Sequence, residues 1–223
     1  MTDIKHNLKT ILSSIPEHVT LVAVSKTKPV PELMEAYKAG QRVFGENKIQ
    51  EMVEKYEQMP KDVQWHMIGH VQSNKVKYMA EFVSLIHGVD KLKLLKEIDK
   101  QAKKHERIID CLLQIKIAEE DSKFGMSAKD AKTLITSSEL SGLKNVCITG
   151  VMGMATFTED NQQIEQEFKR LKHIFDELKV YSSDNCKLKT ISMGMSGDYQ
   201  IAIACGSTMI RVGSSIFGAR NYG

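Results

Sequence analysis

Strand-like and helix-like segments alternate from one end of this chain to the other, and few folds accept that pattern. Apolar, β-branched runs closed by glycine, proline or polar residues read as strands over Val19 to Ser25, Arg42 to Phe44, Trp65 to Ile68 and Phe82 to His87. Four more follow over Ile108 to Ile117, Val146 to Val151, Lys187 to Ser192 and Thr208 to Val212. Between them lie helical patterns. Pro29 to Ala39 starts on proline and ends before Gly40; Asn47 to Gln58 and the short Ser73 to Met79 come next. Asp90 is expected to cap a helix reaching Lys104, with Leu92, Leu95, Ile98 and Ala102 on one face, and Ser127 a helix reaching Ser137. Asn161 to Leu178 is the clearest amphipathic stretch, with Ile164, Phe168, Leu171 and Phe175 in phase, and Gly197 to Ala204 closes the series. An additional helix, Ile4 to Ser13, precedes everything. Eight strand–helix units within 223 residues predict one domain, residues 1–223, folded as an α/β (β/α)8 TIM barrel with an extra N-terminal helix. An open doubly wound sheet is the structural alternative, but no G-x-G-x-x-G follows the first strand.

The bulk properties narrow the function. Apolar content of 42% and charged content of 26% are those of an ordinary soluble domain. Basic and acidic residues number 31 and 28, and a net charge of +3 does not call for nucleic acid. The Lys-rich stretch Lys91 to Arg107 is balanced by Glu97, Asp99 and Glu106 and reads as a solvated helix face. No apolar run is long enough to span a membrane, and the N-terminus lacks a signal core. Cys111, Cys147, Cys186 and Cys205 are scattered without C-x-x-C spacing, which suggests small buried hydrophobes kept reduced in the cytoplasm.

In such a barrel chemistry gathers at the C-terminal ends of the strands. Lys26 stands at the first of these ends, after Val22-Ala23-Val24-Ser25 and before Thr27-Lys28-Pro29. Two readings are open for it. It is a lysine snorkelling to water from a strand end, or an amine whose proton is easily displaced, suited to a Schiff base with a carbonyl. Further polar clusters close the other strands: Gly45-Glu46-Asn47-Lys48, Gly69-His70-Val71-Gln72-Ser73-Asn74-Lys75, His87-Gly88-Val89-Asp90 and Asp121-Ser122-Lys123-Phe124-Gly125. Ser192-Met193-Gly194-Met195-Ser196-Gly197-Asp198 and Gly213-Ser214-Ser215 complete the set.

The last two occupy the recurrent phosphate position of this fold, the loops after strands seven and eight. Ser196-Gly197-Asp198 opens a helix, and glycines let the backbone approach phosphate oxygens. The competing reading is ordinary Gly-Ser turn chemistry, with Ser196 as a helix cap. Arg211 lies two residues before Gly213, placed for a guanidinium in the barrel mouth that donates to a ring nitrogen or to a phosphate; an ion pair across strands is the alternative. An amine, a guanidinium and a phosphate cradle together suit a phosphorylated aldehyde. Pyridoxal 5'-phosphate has the carbonyl, ring nitrogen and phosphate to match. A Schiff-base aldolase acting on a sugar phosphate is the competitor. An arginine beside a pyridine nitrogen disfavours its protonation, which points away from strong carbanion chemistry.

The remaining candidates carry less. His66 and His70 are four apart, but Gly69 and a strand-to-loop reading separate them, so His66 is expected in the core, His70 at the pocket, and no metal site. Met152 and Met154 read as core residues with room for a part in the pocket floor. No Ser-His-Asp order or G-x-S-x-G elbow is present.

Taken together, Val22-Ala23-Val24-Ser25-Lys26-Thr27, Phe44-Gly45-Glu46-Asn47 and Trp65-His66-Met67-Ile68-Gly69-His70-Val71-Gln72 resemble the pyridoxal phosphate homeostasis proteins. Asp121-Ser122-Lys123-Phe124-Gly125, Ser192-Met193-Gly194-Met195-Ser196 and Arg211-Val212-Gly213-Ser214-Ser215-Ile216-Phe217-Gly218 add to the likeness, which spans nearly the whole chain. That family is a single barrel similar to the N-terminal domain of alanine racemase. The resemblance implies Lys26 as the Schiff-base lysine, Arg211 facing the pyridine nitrogen, and Ser196, Gly213 and Ser214 on the phosphate. It further implies Asn47 beside the ring, His70 near the mouth, and Met152 and Ser192 among the cofactor-binding residues. One departure is Gly150-Val151-Met152-Gly153-Met154, since relatives carry a bulkier residue after the first methionine; this bears on the pocket floor.

The chain ends at Gly223, soon after the last strand, so no second domain is expected to supply a racemase's second proton-transfer group. The implied protein is a cytoplasmic, monomeric carrier that buffers pyridoxal 5'-phosphate or delivers it to PLP-dependent apoenzymes, with little catalysis of its own. An amino-acid racemase or a Schiff-base aldolase is the alternative function.

Overall fold

A computed structural model describes residues 3–119 and 124–219. Asp121, Ser122 and Lys123, part of the polar cluster read after the fifth strand, lie outside the described residues. Eight strands run parallel and close into a barrel in chain order. They are β1 Thr20–Val24, β2 Val43–Glu46, β3 Gln64–Met67, β4 Val83–Val89, β5 Ile109–Gln114, β6 Val146–Met152, β7 Cys186–Ser192 and β8 Met209–Val212. The ring closes where β8 pairs with β1, Arg211 opposite Val22 and Val212 opposite Ala23. This is the (β/α)8 TIM barrel, and the extra N-terminal helix is α1, Ile4–Ser14.

The helices after β1 and β2 are α2 Val30–Lys38 and α3 Ile49–Gln58; a 3-10 helix over Ser73–Tyr78 follows β3. Then come α4 Leu92–Lys104, α5 Ala128–Ile135, α6 Ser138–Ser141, α7 Asn161–Lys179, α8 Tyr199–Ala204 and α9 Ser214–Phe217. Side-chain capping sets the starts of α5 and α7, among others. Ser127 accepts from the Asp130 amide at the start of α5, and Asp160 from the amides of Gln162 and Gln163 at the start of α7. Asp90 does not cap α4. Lys91 holds that place without a side-chain hydrogen bond, because Asp90 stays with the end of β4, its Oδ2 3.8 Å from His70 Nδ1. The expected single helix from Ser127 to Ser137 stops at Ile135, and Ser137 starts α6 by accepting from the Leu140 amide. Nor does a helix begin at Gly197: α8 starts at Tyr199.

Two apolar layers hold the barrel. The larger lies between strands and helices, where α7 buries Ile164, Phe168, Leu171, Ile174, Phe175 and Leu178. Each such side chain contributes about 1.5–3 kcal/mol on leaving water. The smaller fills the barrel interior with Val22, Leu85, Leu112, Met152 and Met209. Strand periodicity assigns residues to one or the other. Leu21 and Ala23 face the helices while Val22 faces inward, so the same period carried past β1 brings Val24 and then Lys26 to the inner side. On β8, Ile210 and Val212 face out, and Met209, Arg211 and Gly213 face in.

Candidate functional site

A cavity of about 630 Å³ opens over the C-terminal ends of the strands. Its size lies in the usual range for small-molecule sites. Lys26, Asn47, His70, Ser196, Arg211, Gly213 and Ser214 line it, so seven residues singled out in the sequence meet on one surface. Met152 and Ser192 do not line it. Met152 is 1% exposed and packs in the barrel interior beneath, because Met154, two residues on, takes the inward place at the rim. Ser192 is fully buried and acts through Arg211. The departure at Gly153 bears on the outer layer rather than the floor. A Cβ there would meet Leu171 and Ile117 at 2.8 and 2.9 Å, on the helix side of β6.

The loops after β7 and β8 are joined to each other. The Gly213 amide donates to Ser196 Oγ at 3.3 Å, so Ser196 braces the neighbouring loop instead of capping α8. A side chain at 213 would press on the Val24 carbonyl at 3.0 Å, which is why the end of β8 can approach the end of β1. Asn47 is held in a similar way: a Cβ on Gly69 would stand 2.4 Å from the Asn47 carbonyl, so β2 and β3 meet backbone to backbone at the rim. His70 stacks on Phe124 with ring centroids 4.3 Å apart at the mouth. Lys28 also lines the cavity, with its ammonium held by the Phe217 carbonyl at 2.7 Å and Glu32 at 3.5 Å.

Arg211 is 4% exposed at the cavity floor and donates to Ser192 Oγ at 2.6 Å and to the Gly153 carbonyl at 3.1 Å. Both acceptors are neutral, not the cross-strand acid the sequence left open. Burial lowers its pKa to about 10, with Asp198 opposing, so it remains a cation at neutral pH. Beneath it the bonds continue: Ser192 Oγ is 3.0 Å from His87 Nδ1, and His87 Nε2 is 3.1 Å from His66 Nδ1. Arginine only donates, so the arrangement that uses every proton has the serine hydroxyl donating to His87 Nδ1 and His87 Nε2–H donating to His66. Both histidines are then neutral, as burial requires: it draws His66 down to about 3 and holds His87 well below its usual value.

That pair makes stability depend on pH. A histidine with a depressed folded value binds its proton first in the unfolded chain, so folding stability falls as pH drops below the ordinary 6.5 and toward the folded value. Below pH 6.5 the loss should steepen as the unfolded histidine protonates, towards a limit of about 1.4 kcal/mol per pH unit for each histidine. Urea unfolding at several pH values checks this, and His66→Gln should lower the slope by one proton. An unchanged slope would remove His66 from the account.

Two residues at or beneath the cavity carried no sequence signal strong enough to single them out. Gln114 is 4% exposed and donates to the Phe124 carbonyl at 3.0 Å; it is a polar residue ending an apolar strand, the signal that marked Lys26. His87 was visible only as a histidine closing β4, and its partner across the barrel, Ser192, is 105 positions away.

Comparison with known proteins agrees with the fold and the residue pattern. The family model described as the alanine racemase N-terminal domain matches residues 1–221. The Pasteurella multocida pyridoxal phosphate homeostasis protein is 40% identical, covering 92% of this chain and 88% of its own. The Escherichia coli K12 protein of the same name is 35% identical, over 100% and 99%. The solved structure of Synechococcus elongatus PipY with PLP bound superposes with a TM-score of 0.88 at 34% identity, covering 97% of this chain and all of that one. A Clostridium difficile alanine racemase shares the fold alone, at 15% identity and a TM-score of 0.79, with 56% of its chain covered. The chain therefore belongs to the alanine racemase N-terminal domain family and, within it, to the pyridoxal phosphate homeostasis proteins.

Proposed function

We propose that this protein binds pyridoxal 5'-phosphate in the cavity over the strand ends and acts as a holder of the cofactor rather than a catalyst. The observation that carries the reading is convergence. Lys26, Arg211 and the joined Ser196, Gly213 and Ser214 loops line one cavity, although they come from three different strands. When bound, the cofactor supplies an aldehyde able to condense with an amine. Lys26 provides that amine from the end of β1. Ser196, Gly213 and Ser214 take the phosphate end with hydroxyls and backbone amides. Arg211 donates from the floor toward the ring nitrogen, and as a buried cation it keeps a proton off that nitrogen. Asn47 flanks the ring, and His70 with Phe124 closes the mouth.

The names borne by the relatives concern homeostasis, not turnover, and this supports holding. A guanidinium at the ring nitrogen, which gives a weaker electron sink than a protonated ring, fits the same reading. We further propose that the chain works as a single-domain monomer in the cytoplasm and passes the cofactor to PLP-dependent apoenzymes. Among the described residues, no helix is long and apolar enough to cross a membrane.

The test is transfer. Protein loaded with one equivalent of PLP should reactivate a PLP-free aminotransferase while racemising neither alanine nor serine above the rate of free PLP. Racemisation above that background would decide for an enzyme.

A further inference from the structure

Behind Lys26, on the helix side of β1 and β2, lies a buried ion cluster with no part in lining the cavity. Lys55 of α3 is 5% exposed and donates to the Ser25 carbonyl at 2.7 Å, to Glu46 Oε1 at 2.8 Å and to Glu51 Oε1 at 2.7 Å. These use all three of its protons. Glu46, at the end of β2, is fully buried; its Oε1 also accepts from Ser25 Oγ at 2.6 Å, while its Oε2 has no hydrogen-bond partner among the described residues. Glu51 Oε1 accepts in addition from the Thr27 amide at 2.5 Å.

Two of these bonds fall on the peptide units either side of one residue. The Ser25 carbonyl belongs to the unit before Lys26, and the Thr27 amide to the unit after it. Each is tied to the same cluster, so the two planes that set the direction of the Lys26 Cα–Cβ bond are fixed together. Thr27 itself sits at φ +65°, in the left-handed region. A β-branched residue persists there only where its surroundings over-determine the backbone, and such strain gathers at functional sites.

We infer that Glu51, Lys55 and Glu46 are positioning residues: they clamp the backbone on both sides of Lys26 and so aim its amine into the cavity. This rests on the reading of Lys26 as the tether. Removing one partner should misplace the amine by a fraction of its reach, and misplacements of that order slow reactions by about tenfold or more.

Glu51 is the member to change, because it is the least buried, while losing Lys55 would leave Glu46 as an uncompensated buried charge. The assay mixes apo protein with PLP, follows formation of the covalent link by absorbance, and confirms it by borohydride trapping and peptide mass. Non-covalent affinity is measured separately in a Lys26→Ala background. Glu51→Ala is expected to slow link formation about tenfold or more, yet to change affinity less than twofold in the Lys26→Ala background. Glu51→Gln keeps an acceptor for the Thr27 amide and should recover most of the rate. It also serves if Glu51→Ala fails to fold: a Glu51→Gln rate slowed about tenfold, like loss of the whole clamp, would then count against the backbone bond as the cause. Link formation within twofold of wild type in Glu51→Ala overturns the inference. So does an equal loss of affinity with and without Lys26, which would mean a general disturbance of the pocket. Failure of the wild-type protein to trap PLP on Lys26 is a different result and removes the reading of Lys26 itself.

Discussion

Replacing Lys26 with alanine should abolish the borohydride-trappable link to pyridoxal 5'-phosphate while leaving a folded barrel that still binds the cofactor more weakly. The expectation follows from position. Lys26 takes the inner place two residues beyond Val24, at the rim where the period of β1 runs out into the cavity. The barrel does not need it for packing: the interior beneath is closed by Val22, Leu85, Leu112, Met152 and Met209. The loops around Ser196 and Gly213 should keep the hydrogen bond that joins them, which is made between the Gly213 amide and Ser196 Oγ. Lys28, the neighbouring lysine on the same cavity, is committed to the Phe217 carbonyl and Glu32 and should not take over. A Lys26→Ala protein that retains a trappable link at full occupancy would show that another amine does this work.

Arg211→Ala should weaken binding through a different term. On the proposed reading it removes a buried cation that would donate to the ring, a charged hydrogen bond worth about 1.5–3 kcal/mol, which corresponds to about 10- to 150-fold in the dissociation constant. The loss should appear equally in the Lys26→Ala background, because the proposed contact is with the ring and not through the tether. Arg211→Lys should restore little, since an ammonium cannot span Ser192 Oγ and the Gly153 carbonyl while also donating upward. Equilibrium titration at neutral pH reads the effect, and an unchanged constant would refute the contact.

What could be read from the chain, and what could not, divides by sequence distance. The alternation of apolar runs with helical periods fixes the barrel because each unit is local, and strand ends such as Ser25-Lys26-Thr27 mark the rim for the same reason. Pairing across the barrel is not local. That Ser192 would serve Arg211 from below, 19 positions away, and reach His87, 105 positions away, depends on the closed geometry. Met152 and Met154 show the limit at short range: which one faces the cavity depends on where β6 ends, and a strand that runs to Met152 puts Met154 at the rim. The helix starts failed where tertiary contacts outbid a local cap, with Asp90 kept beside His70 and Ser196 drawn to the Gly213 amide. The ion cluster behind Lys26 was hidden because Glu46 and Lys55 look like an ordinary strand end and an ordinary helix face; only the packing of α3 on β2 buries them.

One amine, Lys26, is proposed to hold the cofactor in this cavity. The most direct test is borohydride reduction of the wild-type protein after mixing with pyridoxal 5'-phosphate, followed by peptide mass mapping. One pyridoxyl adduct per chain is expected, on the peptide carrying Lys26. An adduct on another lysine, or none at stoichiometric cofactor, would contradict it.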